Sequence, residues 1–179
     1  MGNGSLSMRH VTIITTGGTI EKTYDEASGR LENRSSVVRG MVQGLRLEDC
    51  TVFIVELLSK DSLEMTEEDR ARIVEAVRAV FEGGDGVPTS GIVILHGTDT
   101  LAVTGECLHA AFPSPPVPVV LTGAMRPFEL VRSDAVQNLT EAVFATGLVA
   151  PGVYCSAHGR LLRFPGVVKD RARGTFVKP

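Results

Sequence analysis

The chain has 179 residues, 43% of them hydrophobic and 22% charged, with a formal net charge of −3. That length and balance suit one soluble globular domain with a core of its own. They exclude the concentrated basic face that nucleic acid or an anionic membrane needs, and no run approaches the ~20 apolar residues of a membrane span.

The start, MGNGSLSMRH, lacks the apolar segment of a secretory signal, so residues 1–9 read as an N-terminal tail or cloning remnant and 10–179 as one domain. Val11–Thr16 is a β-branched run that ends in Gly17-Gly18, and Thr51–Leu57 is a second strand. A helix follows. Thr66 is placed to cap it, Glu67 to Asp69 suit its positive end, and Ile73, Val74, Val77 and Val80-Phe81 share one face. Gly83-Gly84 and Asp85-Gly86 stop it.

Gly91–Leu95 is apolar throughout, as a strand covered by helices on both faces must be. A helix over Asp99–Ala111, a strand over Val117–Thr122 and a helix over Ser133–Thr146 come next. Pro151–Ser156 and Leu161–Phe164 are late strands, read as a hairpin around His158-Gly159-Arg160. This succession predicts an α/β domain of three layers around an open, mainly parallel sheet with right-handed crossovers.

Ligands of such sheets bind beyond the carboxyl ends of the strands, where the strand order reverses. Three strand ends here are small and rich in hydroxyls: Thr15-Thr16-Gly17-Gly18-Thr19, His96-Gly97-Thr98-Asp99-Thr100 and Thr122-Gly123-Ala124-Met125-Arg126-Pro127. The paired glycines let the backbone turn sharply and leave the Thr19 hydroxyl at the cleft, although the same letters serve as a plain strand exit. The second segment reads equally as a helix cap by Thr98 or Asp99 and as a set of free backbone N–H groups for a carboxylate or an oxyanion. His96 reads as structural, because no serine elbow accompanies it. Cys50, Cys107 and Cys155 are odd in number and widely spaced, as in a reduced cytoplasmic protein, and no cluster of His, Asp or Glu suggests a metal.

In series, Val11–Glu21 (VTIITTGGTIE), Ile92–Thr104 (IVILHGTDTLAVT) and Val119–Pro127 (VVLTGAMRP) resemble the signature segments of the bacterial-type L-asparaginase family, in its order and at similar spacing. The similarity runs from about residue 10 to the end. It implies the fold of that family's N-terminal domain and an amidohydrolase that converts L-asparagine to L-aspartate and ammonia with a threonine nucleophile and no cofactor. Glutamine as a second substrate, or a catalytically silent amino-acid-binding module, are the alternatives.

Carried over by motif, the nucleophile is Thr19, and Thr98, Asp99 and Lys169 form a Thr–Lys–Asp group, with Lys169 taken from VVKDRARGT. Tyr24 is the loop tyrosine that assists the nucleophile. Substrate contacts are expected from Gly18, Ser59, Lys60, Gly97, Thr98 and Asp99, Ser59 holding the α-carboxylate. A carboxylate beside Lys169 favours its ammonium form, so Asp99 either serves the lysine or holds the substrate's α-ammonium while Lys169 relays protons through Thr98.

Two departures from the family stand out. Lys60 replaces the glutamine usual after the substrate-binding serine, and no second, C-terminal domain follows, with its glutamate for the neighbouring subunit. The reading therefore favours a naturally short form over a fragment and expects a raised KM. It also expects a cytoplasmic homo-oligomer acting on a small molecule, with neither nucleic acid nor membrane as partner. The acidic balance argues against a mischarged tRNA as substrate.

Overall fold

The computed structural model of the chain describes residues 8–83 and 86–179. Gly84 and Asp85, half of the helix stop read from the sequence, and most of the N-terminal tail lie outside the described residues.

In chain order the elements are β1 (Arg9–Gly17), β2 (Thr23–Asp25), β3 (Arg30–Glu32), α1 (Val38–Gln43), β4 (Cys50–Lys60), α2 (Glu67–Phe81) and β5 (Gly91–Leu95). Then come α3 (Leu101–Ala111), β6 (Val119–Thr122), α4 (Ala135–Ala145), β7 (Val153–Ala157), β8 (Arg160–Arg163), β9 (Val168–Asp170) and β10 (Thr175–Val177). Six strands form one sheet in the order β4-β1-β5-β6-β7-β8, parallel except for the antiparallel β7–β8 hairpin. The β2–β3 and β9–β10 hairpins stand apart from it.

Alternation along the strands divides the core into two. Ile14, Ile92, Ile94 and Leu121 pack on one face with Ile73 and Val77 of α2 and Leu101 and Leu108 of α3. Val11, Ile13, Val93 and Val120 pack on the other with Met41 of α1 and Leu139 and Ala142 of α4. Successive side chains of a strand point to opposite faces, so uniformly apolar strands require helices on both. The three-layer α/β architecture expected from the sequence is what forms.

Local boundaries follow from backbone chemistry. Thr66 caps α2 in a reciprocal box: its side chain accepts from Asp69 N–H, and the Asp69 carboxylate accepts from Thr66 N–H. α3 begins at Leu101, not Asp99, and Thr100 at its N-cap makes no side-chain cap bond. The residues expected to cap that helix are engaged elsewhere. β6 begins at Val119, after Pro118, which has no N–H to give to a ladder.

The sheet order fixes the place of a site. From β1 the chain crosses to β4 on one side, then returns past β1 to β5 on the other. The reversal lies between β1 and β5, at their carboxyl ends.

Candidate active site

At the end of β1 the backbone turns into the reversal point through Gly17 and Gly18, at φ 91° and 80°, a region closed to most other residues. Close approach demands glycine here as well. A Cβ on Gly17 would overlap the Lys60 backbone, and one on Gly18 would overlap Gly97 N and Cα. The turn is thus pressed between the end of β4 and the loop that follows β5. Gly18 N–H donates to Lys60 O at 2.8 Å, and the Thr16 hydroxyl donates to Leu95 O at 2.8 Å. A single 3-10 turn, Thr19–Glu21, follows and seats a half-buried Thr19 beside the β5 loop.

In that loop His96 is fully buried, with Nδ1 2.8 Å from Gly97 O and Nε2 2.8 Å from the Thr104 hydroxyl. Burial holds its imidazole down at about 4, with the nearby Arg70 adding to that and the Gly97 carbonyl opposing it. It is a neutral strut of the loop. Beyond Gly97, Thr98 is buried and Asp99 half-buried.

Lys169 reaches both from β9. Its ammonium donates to Thr98 Oγ1 at 2.8 Å and to Asp99 Oδ1 at 3.2 Å, and its side chain is only 15% exposed. Arg171 brings a second cation to the same carboxylate oxygen, at 2.9 Å. Asp99 is therefore turned toward β9, which is why it does not cap α3.

The β9–β10 hairpin that presents Lys169 is fastened from below. His158 Nδ1 lies 3.1 Å from the Thr175 hydroxyl of β10, and its Nε2 lies 2.7 Å from Asp134. The same Asp134 carboxylate accepts from Met125 and Arg126 N–H, in the loop after β6. The third hydroxyl-rich segment thus serves to brace the site.

Ser59, next to last in β4, is exposed on the rim of a cavity shared with Glu21, Ser36, Glu56 and Thr15, whose buried hydroxyl has no protein partner. Lys60 offers its backbone to the β1 turn, but its ammonium is bound to both oxygens of Asp69, at 2.8 and 3.0 Å. That lysine, with the Thr66 amide, holds the Asp69 carboxyl down at about 2. Tyr24 lies on the β2–β3 hairpin, 57% exposed, and its N–H donates to the Glu129 carboxylate. Among the described residues, the side chains of Thr19 and Tyr24 make no hydrogen bond to the Thr98–Asp99–Lys169 cluster.

Two residues of the site carry no role in the motifs. Arg171 stands two residues after Lys169, in the turn just past the end of β9. Glu21 lies two positions after Thr19, at the end of the 3-10 turn. It is 2% exposed, and burial pushes its carboxyl up to about 7, with Glu56 adding to the rise and the Ser36 hydroxyl and Gly17 amide opposing it. Among the described residues no group of three His, Cys, Asp or Glu side chains could hold a metal ion, and no helix is long and apolar enough to cross a membrane.

Residues 10–176 match the family model for the asparaginase N-terminal domain. The chain is 34% identical to an L-asparaginase of Thermococcus kodakarensis over 90% of its own length and 48% of the relative's. It is 35% identical to one component of the glutamyl-tRNA(Gln) amidotransferase of Pyrobaculum aerophilum over 76% of its length and 31% of the relative's. In structure it is similar to the thermostable L-asparaginase from Thermococcus kodakarensis, with a TM-score of 0.81 and 33% identity over 94% of this chain and 51% of that one. The chain thus spans about half the length, or less, of the relatives it matches.

Proposed function

The chain belongs to the asparaginase family through its N-terminal domain, and on that premise we propose that it hydrolyses the side-chain amide of L-asparagine to L-aspartate and ammonia, with Thr19 as nucleophile. The observation that carries the reading is the hydrogen-bonded group of Lys169, Thr98 and Asp99 at the β1–β5 reversal, against the glycine turn that leads into Thr19.

An amide carbonyl is a weak electrophile and a threonine hydroxyl a weak nucleophile, so the reaction needs a positioned proton relay and donors for the developing oxyanion. In this reading the Thr19 oxygen attacks the amide carbon and forms a C–O bond, while the Thr19 proton passes to Thr98 and the Thr98 hydrogen passes to the departing nitrogen. The Lys169 ammonium donates to Thr98 Oγ1 and holds that oxygen in place for the exchange. The C–N bond breaks and ammonia leaves. Water then adds to the ester carbon, the bond to the Thr19 oxygen breaks, and the water proton returns through Thr98 to that oxygen. Gly18 and Gly97 supply backbone to the pocket, Ser59 receives the α-carboxylate, and Asp99 receives the α-ammonium. Tyr24 assists Thr19 from the hairpin. The Lys60–Asp69 pair supports a role for Lys60 through its backbone, beside Ser59, more than through its charge.

The reading includes a small-molecule substrate, self-association and action in the cytoplasm. Free Cys50, Cys107 and Cys155 support the last. Exposed Phe144, Leu148 and Leu161, beside one another on α4, the turn after it and β8, support self-association.

The test is ammonia release from L-asparagine and L-glutamine at equal concentration. Faster release from asparagine supports the proposal. The similarity to an amidotransferase component favours a second reading, in which the same group works on glutamine, and faster release from glutamine would select it. Binding of either amino acid without release would leave a binding module.

A further inference from the structure

The β2–β3 hairpin leaves the body of the domain just after Thr19 and returns at Ser36, and both ends of this excursion meet at one buried side chain. Glu21 Oε2 accepts from Gly17 N–H at 2.9 Å, and its Oε1 accepts from the Ser36 hydroxyl. The first bond falls where the β1–β4 register shifts, between Thr15 and Gly17, so a side chain takes the amide at an irregularity of the ladder. The second falls two residues before α1. Asn33 adds a parallel tie, its amide donating to Gly18 O at 2.8 Å, and Lys22 pairs with Asp61 at 2.6 Å across the front.

Each of these bonds acts on the turn that carries Thr19. The Gly17 amide fixes where the backbone leaves β1, and because glycine moves freely among conformations, outside bonds select the one Gly17 and Gly18 hold. The Ser36 bond fixes where the hairpin with Tyr24 comes back. A shorter side chain at position 21 would satisfy neither, and the two ends would lose their common anchor.

We propose that Glu21 is the positioning residue of this site: it locks the Gly17-Gly18-Thr19 turn and the return of the β2–β3 hairpin into one unit. The consequence for catalysis rests on Thr19 as nucleophile; the lock itself does not.

The experiment uses the full chain with Glu21→Ala, Glu21→Gln and Ser36→Ala, read in two ways. Steady-state ammonia release from asparagine gives kcat and KM, and amide hydrogen exchange gives the protection of Gly17 and Gly18. Glu21→Ala should lower kcat by about tenfold or more, the effect of a small misplacement of a reacting group, with KM changed less than about threefold. Exchange at Gly17 should quicken by a similar factor. Glu21→Gln should restore most of both, because its amide oxygen still accepts from Gly17 and its NH2 can donate to Ser36. Ser36→Ala should give an intermediate loss of kcat. If Glu21→Ala is poorly folded, the Glu21→Gln and Ser36→Ala pair decides the matter by the same two readouts. Unchanged Gly17 exchange in Glu21→Ala, or a Glu21→Gln variant as impaired as Ser36→Ala, would overturn the inference. If the parent chain releases no ammonia, the proposed reaction fails while the exchange data still decide the lock.

Discussion

The ammonium of Lys169 and the hydroxyl of Thr98, 71 residues apart in the chain, meet at 2.8 Å in a place that excludes most solvent. Neither side chain does much alone. Together with Asp99 they form a hydrogen-bonded group, which the proposed reaction uses as its proton relay. Lys169→Met keeps the stem and removes the charge. It should lower kcat by about 10² to 10³, the range ordinarily lost with a proton-transfer group. Thermal melting should show the chain still folded, since Arg171 continues to pair with Asp99.

Gly18 packs closely against the Gly97 backbone. Gly18→Ala adds one methyl group where a Cβ would overlap the Gly97 backbone and where φ is 80°. Backbone strain and overpacking together should cost about 3 kcal/mol or more, read as a lowered urea midpoint with an unchanged slope. Gly159, also at positive φ but with open space around it, should accept alanine with a smaller loss.

Glu21 makes stability depend on pH in the neutral range. Its carboxyl titrates near 4.5 in the unfolded chain and near 7 in the fold, so the folded state binds the proton more tightly. The stabilisation is complete below about pH 4.5 and is lost as pH rises through 7, by up to about 3 kcal/mol. Glu56 on β4 reinforces the effect, while Arg39 of α1 pairs with Glu56, and Arg34, on the same cavity, pairs with Asp25. Glu21→Gln should flatten the stability curve between pH 5 and 8 in urea titrations. A parent curve that rises across that interval would contradict the assignment.

Much of this was legible in the sequence because it is local. The apolar runs of β1 and β5, the Thr66 cap and the glycines after β1 each declare themselves within a few residues. The group that Thr98, Asp99 and Lys169 form was legible only through the family resemblance of three segments, since nothing in the spacing brings residue 169 to residue 98. The β7–β8 hairpin was legible, but the two shorter hairpins escaped. β2 and β3 are three residues each, and Arg30-Leu31-Glu32 has two charged residues flanking one apolar side chain, too short a pattern to separate from a loop. β9 and β10 are equally short. The expected cap of α3 by Thr98 or Asp99 gave way to a tertiary demand, because the same side chains had a cation to meet. Glu21 was one charge among the polar residues after the glycine turn, and its partner Ser36 lies beyond a hairpin that the sequence did not announce.

Attack by Thr19 on the amide is tested by comparing ammonia and aspartate release from L-asparagine by the parent chain and by Thr19→Ala. The parent should release the two products in equal amounts. Thr19→Ala should show a fall of about 10³ or more in kcat, as befits loss of a nucleophile, with the melting temperature preserved. A Thr19→Ala chain that releases ammonia at the parent's rate would contradict it.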